Sequence, residues 1–332
     1  MRLATSLALI GCLLAGEALG QESGLVLALR FAQRFGDPRM LAPSKDRELK
    51  IALVEALRRE KGGLTWSGMR QWFDQETFQR LAGADGRITM EEMKTMLEKE
   101  APISRRGLLS QVRNHAELLA TQYEMIDDEH RAAADELAAW LSARRVAQSE
   151  APINIIVVCT GNSRRSMFGA VMGNIAAAYY GLPNLRFYSG GTSPSAFNSR
   201  TIAAMREIGV EIEPTGEEAP RGEAGDPNPI HRVRWGREME MLEFSKKYAD
   251  TSNPQRDFVA LLVCTQADAA CPTVRGAAKR LSIPYLDPKD YDGSPFEAAK
   301  YAERRDDIGR FMLNVMMQVR RRLSSAGAAD RP

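Results

Sequence analysis

The stretch INIIVVCTGNSRRS occupies residues 153–166. Ile153–Val158 is a short β-branched run, the composition of a strand covered on both faces. The residues after the stretch, to Tyr180, carry apolar side chains at helical spacing. Between them Cys159-Thr160-Gly161-Asn162-Ser163-Arg164-Arg165 forms a loop that begins with cysteine and ends with arginine at a helix start. Loop N–H groups and a helix N-terminus turned inward make a cradle for an oxyanion. The planar guanidinium of Arg165 can fork onto two oxygens of the bound anion. The same positive field stabilises the thiolate of Cys159, the form in which cysteine is a nucleophile. Ser166 can donate a hydrogen bond to that thiolate, and Gly161 permits a positive φ. Thr160, Asn162, Ser163 and Arg164 complete the oxyanion-binding set.

Working outward, short β-branched runs at Ile153–Val158, Leu185–Tyr188, Phe258–Val263 and Ile283–Leu286 alternate with helical stretches. Those stretches are Arg165–Tyr180, Arg200–Ile208, Thr273–Leu281 and Phe296–Leu323. The alternation predicts an α/β domain over residues 150–332, a four-stranded parallel sheet with helices on both faces. The Gly-, Pro- and Glu-rich stretch 214–230 reads as a long loop or insertion. Residues 21–149 read as all-α, with helices at Leu25–Phe35, Lys45–Arg59, Gly68–Leu81, Met90–Glu98, Arg106–Met125 and Ala132–Ala147. Gln148–Pro152 is the linker.

The chain has 332 residues, a net charge of +2 and a hydrophobic share of 44%. That balance excludes disordered, collagen-like and polytopic membrane classes, and it shows no basic excess of the kind nucleic-acid binders carry. Residues 1–20 combine one early Arg, a short apolar run and Ala18-Leu19-Gly20, the pattern of a secretory signal peptide. The run is too short for a stable membrane span. An exported protein of the periplasm or cell envelope is expected, with Leu9-Ile10-Gly11-Cys12 as an alternative lipoprotein box. The four cysteines, at 12, 159, 264 and 271, are too few for a disulfide scaffold.

Residues 153–166 resemble the phosphate loop of the low-molecular-weight protein tyrosine phosphatase superfamily, which includes the thioredoxin-coupled arsenate reductases. The likeness continues through Ser189-Gly190-Gly191-Thr192, Asn198-Ser199-Arg200, Gly209-Val210, Leu286-Asp287-Pro288 and the C-terminal helix. It spans residues 153–323 apart from an insertion around 214–250. The resemblance implies that Asp287 is the general acid, since an ester oxygen leaving phosphorus needs a proton. The segment LLVCTQADAACP, residues 261–272, resembles the redox segment of the arsenate reductases in the spacing of Cys264 and Cys271.

The implied reaction is arsenate reduction through a Cys159–Cys264–Cys271 relay, with a dithiol reductant such as a thioredoxin-like protein as partner. The alternatives are hydrolysis of phosphate monoesters through a cysteinyl-phosphate, and a non-catalytic oxyanion-binding module. The alternatives for Cys264 and Cys271 are a structural disulfide of an exported protein, or two buried free thiols. Three positions depart from the family pattern. Arg164 stands where many members have a second loop cysteine, Ala170 where the reductases tend to have an acidic residue, and Lys289-Asp290-Tyr291 where an aromatic pair follows Asp-Pro.

Met312, Met316 and Met317 read as core, Arg320-Arg321-Arg322 as a solvated helix end, and His115 and His130 as surface residues. His231 with Arg232, Arg234 and Trp235 lies in the inserted region, with a substrate-facing role as an alternative. In the N-terminal half, Asp85-Gly86-Arg87-Ile88-Thr89-Met90-Glu91-Glu92 fits the second part of a calcium-binding EF-hand loop. Asp85, Thr89 and Glu92 are its candidate ligands, but Leu81 and Gly83 fall on the first and third ligand positions and carry no oxygen. Gly62-Gly63-Leu64-Thr65 is a second trace without acidic ligands. The segment therefore reads as an EF-hand-like shape without a cofactor. Calorimetric titration should show no stoichiometric site at micromolar free calcium; one tight site would contradict this reading.

Overall fold

The computed structural model describes residues 24–37, 41, 45–59, 63–147, 151–270 and 273–329. The segment read as a signal peptide, Cys12 and Cys271 lie outside these residues. Contacts divide the chain into two compact units, residues 1–101 with 121–124, and residues 102–120 with 125–332. The second unit thus reaches well before the boundary expected at residue 150.

The first unit has helices Gly24–Phe35, Asp46–Arg59, Trp66–Met69, Gln75–Ala82 and Met90–Glu100. It is not purely helical. Strands β1 (Gly63–Thr65) and β2 (Arg87–Thr89) pair antiparallel, with Leu64 opposite Ile88 and both side chains fully buried. The helix expected over 68–81 is broken because Asp74 caps a new start: its carboxylate accepts from the Thr77 N–H at 2.8 Å. Hydrogen bonds from Thr77 hold the Asp74 carboxyl below its usual range. Phe31, Trp72, Phe73 and Phe78 fill the core, with the Phe73 and Phe78 rings edge to face at 5.6 Å.

The second unit contains a four-stranded sheet of order β4-β3-β8-β9, parallel throughout. Its strands are β3 (Ile153–Cys159), β4 (Leu185–Gly191), β8 (Phe258–Leu262) and β9 (Ala277–Ser282). Every residue of β8 and nearly every residue of β3 is buried, so both faces of the sheet are covered. Helix Arg165–Tyr179 packs on β3 and β4 and against helices Ser110–Leu119 and Glu297–Ala329, and the last of these also packs on helix Asp128–Ala147.

The last strand is a correction. The helix expected over 273–281 is absent, and the strand lies at 277–282 rather than 283–286. Gly276, at φ +87°, turns the chain, and the ladder to β8 then pairs Val259 with Lys279 and Leu262 with Ser282. Ala-Ala-Lys-Arg-Leu-Ser has no strand composition; edge pairing overrides its helical propensity.

The stretch read as a loop at 214–230 is corrected at its two ends, while residues 219–228 between the strands do form a loop. Strands β5 (Glu211–Glu218), β6 (Pro229–Gly236) and β7 (Met239–Glu243) form an antiparallel sheet of order β5-β6-β7. Most of β5 is exposed, so its polar composition hides a strand held by backbone pairing. The helix expected over 106–125 breaks at Leu108, which bridges to Gly236, while the Leu109 N–H donates to the Trp235 carbonyl at 3.0 Å.

Met312, Met316 and Met317 are buried, as read. Arg320–Arg322 lie inside the last helix, which runs on to Ala329, rather than at its end. His115 and His130 are largely covered instead of exposed. The first meets Asp306 Oδ1 at 2.8 Å and the second Asp127 Oδ2 at 2.6 Å, so each ring has a carboxylate partner at one nitrogen.

Close packing of helix Arg165–Tyr179 on the sheet depends on glycine. A Cβ at Gly173 would lie 2.3 Å from the Phe187 ring, and one at Gly169 would lie 2.6 Å from Val157. Gly173→Ala should therefore destabilise the protein by about 1–3 kcal/mol through overpacking, although alanine favours a helix by about 1 kcal/mol. Urea unfolding reads this directly, and a more stable variant would contradict the packing argument.

Candidate functional site

Cys159 ends β3 and Arg165 begins the following helix, so the loop between them closes over the C-terminal edge of the parallel sheet. A cleft of about 460 Å³ opens there, lined by Cys159, Thr160, Gly161, Ser163, Arg164 and Arg165 on the loop side. Asp287, Lys289 and Asp290, with Tyr285 and Leu286, line the other side; Thr265, Gln266 and Ser195 complete the wall.

The loop is held from outside. Its carbonyls at Thr160, Gly161 and Ser163 accept from the N–H groups of Ser193, Ser195 and Asn198 at 2.9, 3.0 and 3.2 Å. In a trans peptide the N–H points opposite to the carbonyl, so the N–H groups of Gly161, Asn162 and Arg164 face away from that segment and can serve an anion. Gly191 of β4 lets the loop sit down on the sheet, since a Cβ there would lie 2.6 Å from the Thr160 carbonyl and 2.9 Å from Asn162.

Asn162 has φ +42°, a left-handed conformation that asparagine tolerates better than most residues. It is fully buried. Its Oδ1 accepts from the Lys246 N–H at 2.8 Å, which leaves Nδ2 to donate to Ser166 Oγ at 2.9 Å. With that oxygen already accepting, the Ser166 hydroxyl proton is available to the Cys159 sulfur, 3.1 Å away.

The antiparallel sheet supplies the support. Ser245 donates from Oγ to the Gly161 carbonyl at 2.9 Å, and its backbone is clamped on both sides by the Asn228 carboxamide at 2.8 and 3.0 Å. The buried Lys246 ammonium pairs with Glu243 at 2.8 Å, and Ser189 of β4 donates to the same carboxylate at 2.7 Å.

Arg165 is buried and fixed at one end only. Its Nη1 donates to the Tyr285 carbonyl at 2.8 Å and its Nη2 to Asp287 Oδ2 at 2.7 Å, while its buried Nε has no partner. Such a group suits a second contact to an oxyanion. Arg164 lies 3.8 Å from the same Asp287 oxygen and donates from Nε to the Tyr301 hydroxyl at 3.2 Å. Burial, with a hydrogen bond to Asp292, pushes the Tyr301 phenol up to about 12.

Of the loop residues named from the sequence, Cys159, Thr160, Gly161, Ser163, Arg164 and Arg165 line one cleft with Asp287, whereas Asn162 and Ser166 are fully buried behind them and do not line it. Cys264 is fully buried close by, its sulfur 3.5 Å from Thr160 Oγ1 and accepting from the Ala267 N–H at 3.3 Å. Both described cysteines are free thiols, and Cys271 falls outside the described residues. His231, Arg232, Arg234 and Trp235 do not line the cleft. His231 and Trp235 are buried, and Arg232 and Arg234 pair with Glu240 and Glu211. Burial holds the His231 imidazole below its usual value.

Sequence reasoning missed Tyr285, Ser195, Asn228, Ser245 and Lys246. Tyr285 lies two residues from Asp287 and could have been suspected; the others carry no pattern.

In the first unit, Asp85 Oδ1 accepts from the Arg87 N–H at 3.1 Å. Glu92 and Thr89 form a reciprocal cap, with Thr89 N and Oγ1 each 2.8 Å from Glu92 Oε2 and Glu92 N donating to Thr89 Oγ1 at 3.3 Å. Among the described residues no group of three or more His, Cys, Asp or Glu side chains is placed to hold a metal ion.

The chain matches no protein-family model and has no significant match among curated proteins.

Two substitutions test the cradle through inorganic phosphate binding, measured by calorimetry. Asn162→Gly keeps the backbone conformation and removes only the carboxamide; it should weaken phosphate about tenfold, the worth of one buried hydrogen bond. Arg165→Lys should weaken it about a hundredfold, because an ammonium cannot reproduce a planar two-point contact. Unchanged affinity in either variant would contradict the loop geometry.

Proposed function

We propose that the second unit is a cysteine-dependent enzyme of the low-molecular-weight phosphatase type that acts on a tetrahedral oxyanion, most specifically by reducing arsenate. The observation that carries this reading is the nearness of two free thiols to one loop: Cys159 lines the cleft at the end of β3, and Cys264, fully buried just past the end of neighbouring β8 and not itself lining the cleft, lies 3.5 Å from Thr160 Oγ1 of that loop.

In the proposed cycle the Cys159 thiolate attacks arsenate and displaces one oxygen as water, forming a sulfur–arsenic bond. Cys264 then attacks the Cys159 sulfur. A disulfide forms, the sulfur–arsenic bond breaks, and its electron pair leaves with arsenite, so arsenic is reduced by two electrons and the two thiols are oxidised. Cys271 attacks Cys264 in turn and frees Cys159, and an external dithiol of the thioredoxin kind reduces the resulting Cys264–Cys271 disulfide. In an exported chain that dithiol would be an envelope protein.

Phosphate monoester hydrolysis is the second reading, and the Asp287–Arg165 contact favours it. A carboxyl group beside the guanidinium that grips the oxyanion is suitably set to protonate a leaving oxygen and then to activate water. In the first unit, the pairing of Leu64 with Ile88 across two helix–loop–helix segments supports a degenerate EF-hand pair retained for its shape.

The two reactions are separable by mutation. Cys264→Ala and Cys271→Ala should each end multiple-turnover arsenate reduction and leave aryl phosphate hydrolysis within about twofold of wild type, since water needs no second thiol. Asp287→Asn should slow ester cleavage by about 10²–10⁴ while sparing reduction more. Loss of both activities in both cysteine variants would point to a structural disulfide and put hydrolysis first.

A further inference from the structure

The cleft beside Cys159 is larger than the reacting group needs. Its volume of about 460 Å³ lies within the usual range of ligand pockets, about 300–1,000 Å³, whereas a tetrahedral oxyanion occupies only the loop. The rest of the wall faces whatever the oxyanion carries. That outer wall consists of Thr265 and Gln266, at the start of the helix after β8, and of Leu286, Lys289 and Asp290 around Asp287. Each of these residues is exposed, so a ligand in the cleft can reach them. The Thr265 hydroxyl, the Gln266 carboxamide, the Lys289 ammonium and the Asp290 carboxylate have no hydrogen-bond or ion-pair partner among the described residues.

The outer wall offers no ring to stack on. Tyr285 is the one aromatic residue in the lining, and it is 7% exposed with its ring stacked on His130 at 4.4 Å. Tyr291 lies outside the lining, with the Lys300 ammonium 5.2 Å from its ring centroid. An aryl group would have Leu286 alone to lie on, and it would take water from polar groups without replacing the lost hydrogen bonds. The charges point the same way. Arg165 is paired with Asp287 at 2.7 Å, and Arg164, 3.8 Å from the same carboxylate, belongs to the loop. Beyond them Lys289 and Asp290 bring one charge of each sign. The outer wall is therefore neutral in sum yet rich in both donors and acceptors, which suits hydroxyl groups, since each can donate and accept.

We infer that this cleft takes the phosphate monoester of a small polyol in preference to an aryl phosphate, with the hydroxyl groups of the ester on Thr265, Gln266, Lys289 and Asp290. The inference rests on the hydrolytic reading of the cleft; arsenate would fill the loop and leave the outer wall to water.

Glycerol 3-phosphate and phenyl phosphate are the probes, with inorganic phosphate as control. In calorimetry on the Cys159→Ser chain, which lacks the attacking thiol, glycerol 3-phosphate should bind about tenfold more tightly than phenyl phosphate, the worth of one or two net hydrogen bonds. Gln266→Leu and Lys289→Leu, each made in that background, should each cut the preference about threefold. The ratio of the two KM values in the wild-type chain carries the test if the serine variant does not fold. Equal or tighter binding of phenyl phosphate, or a preference unchanged in both leucine variants, would overturn the inference and leave the oxyanion loop standing. Binding of inorganic phosphate with no phosphate released from either ester by the wild-type chain would overturn the hydrolytic reading, and this substrate class with it.

Discussion

The backbone of Asn162 turns into the left-handed region at φ +42°, and its carboxamide spans from the Lys246 N–H to the Ser166 hydroxyl. That bridge reverses the chain between a strand and a helix within seven residues, and it decides which way the Ser166 proton points. A non-glycine residue with positive φ costs of order 1–2 kcal/mol, so it persists only where surrounding contacts fix it. Here those contacts are numerous. The same turn brings Cys159, the loop N–H groups and Arg165 to one cleft, and without it the parallel sheet would have a helix but no cradle.

The second antiparallel sheet acquires a role from this constraint. The segment after β7 supplies Ser245 to the Gly161 carbonyl and Lys246 to Asn162, and Asn228, the residue before β6, clamps Ser245. The buried Lys246–Glu243 pair, joined by Ser189, anchors the segment to the central sheet. Breaking one partner of such a pair is costly, so the sheet and the loop are expected to keep their relative geometry together. What reads in the sequence as a polar insertion is a brace for the loop that follows β3.

The central strand, the loop and the helix after it were legible because composition changes sharply there: β-branched residues, then Gly, Asn and Ser, then small apolar residues at helical spacing. The candidates Cys159 and Arg165 were legible for the same reason, each standing at an element end, whereas Asp287 came only from the family resemblance, since Asp-Pro by itself reads as a turn. The edge strand at 277–282 was not, since Ala-Ala-Lys-Arg takes its conformation from pairing with β8 and not from its own preference. Strand β5 escaped because almost all of it faces solvent. Ser245, Lys246 and Asn228 act through backbone groups and a single carboxamide, and no residue pattern marks such contacts in advance. Tyr285 does its part through a carbonyl oxygen, which every residue has.

The account rests on Cys159 as the group that attacks an oxyanion and Cys264 as the thiol that follows it. A single turnover of the Cys271→Ser variant with arsenate, quenched with a thiol-alkylating reagent and mapped by peptide mass spectrometry, tests this most directly. The account predicts one arsenite released per chain and a Cys159–Cys264 disulfide that accumulates because no third thiol resolves it. Recovery of Cys159 and Cys264 as separately alkylated thiols, with no arsenite formed, would contradict it.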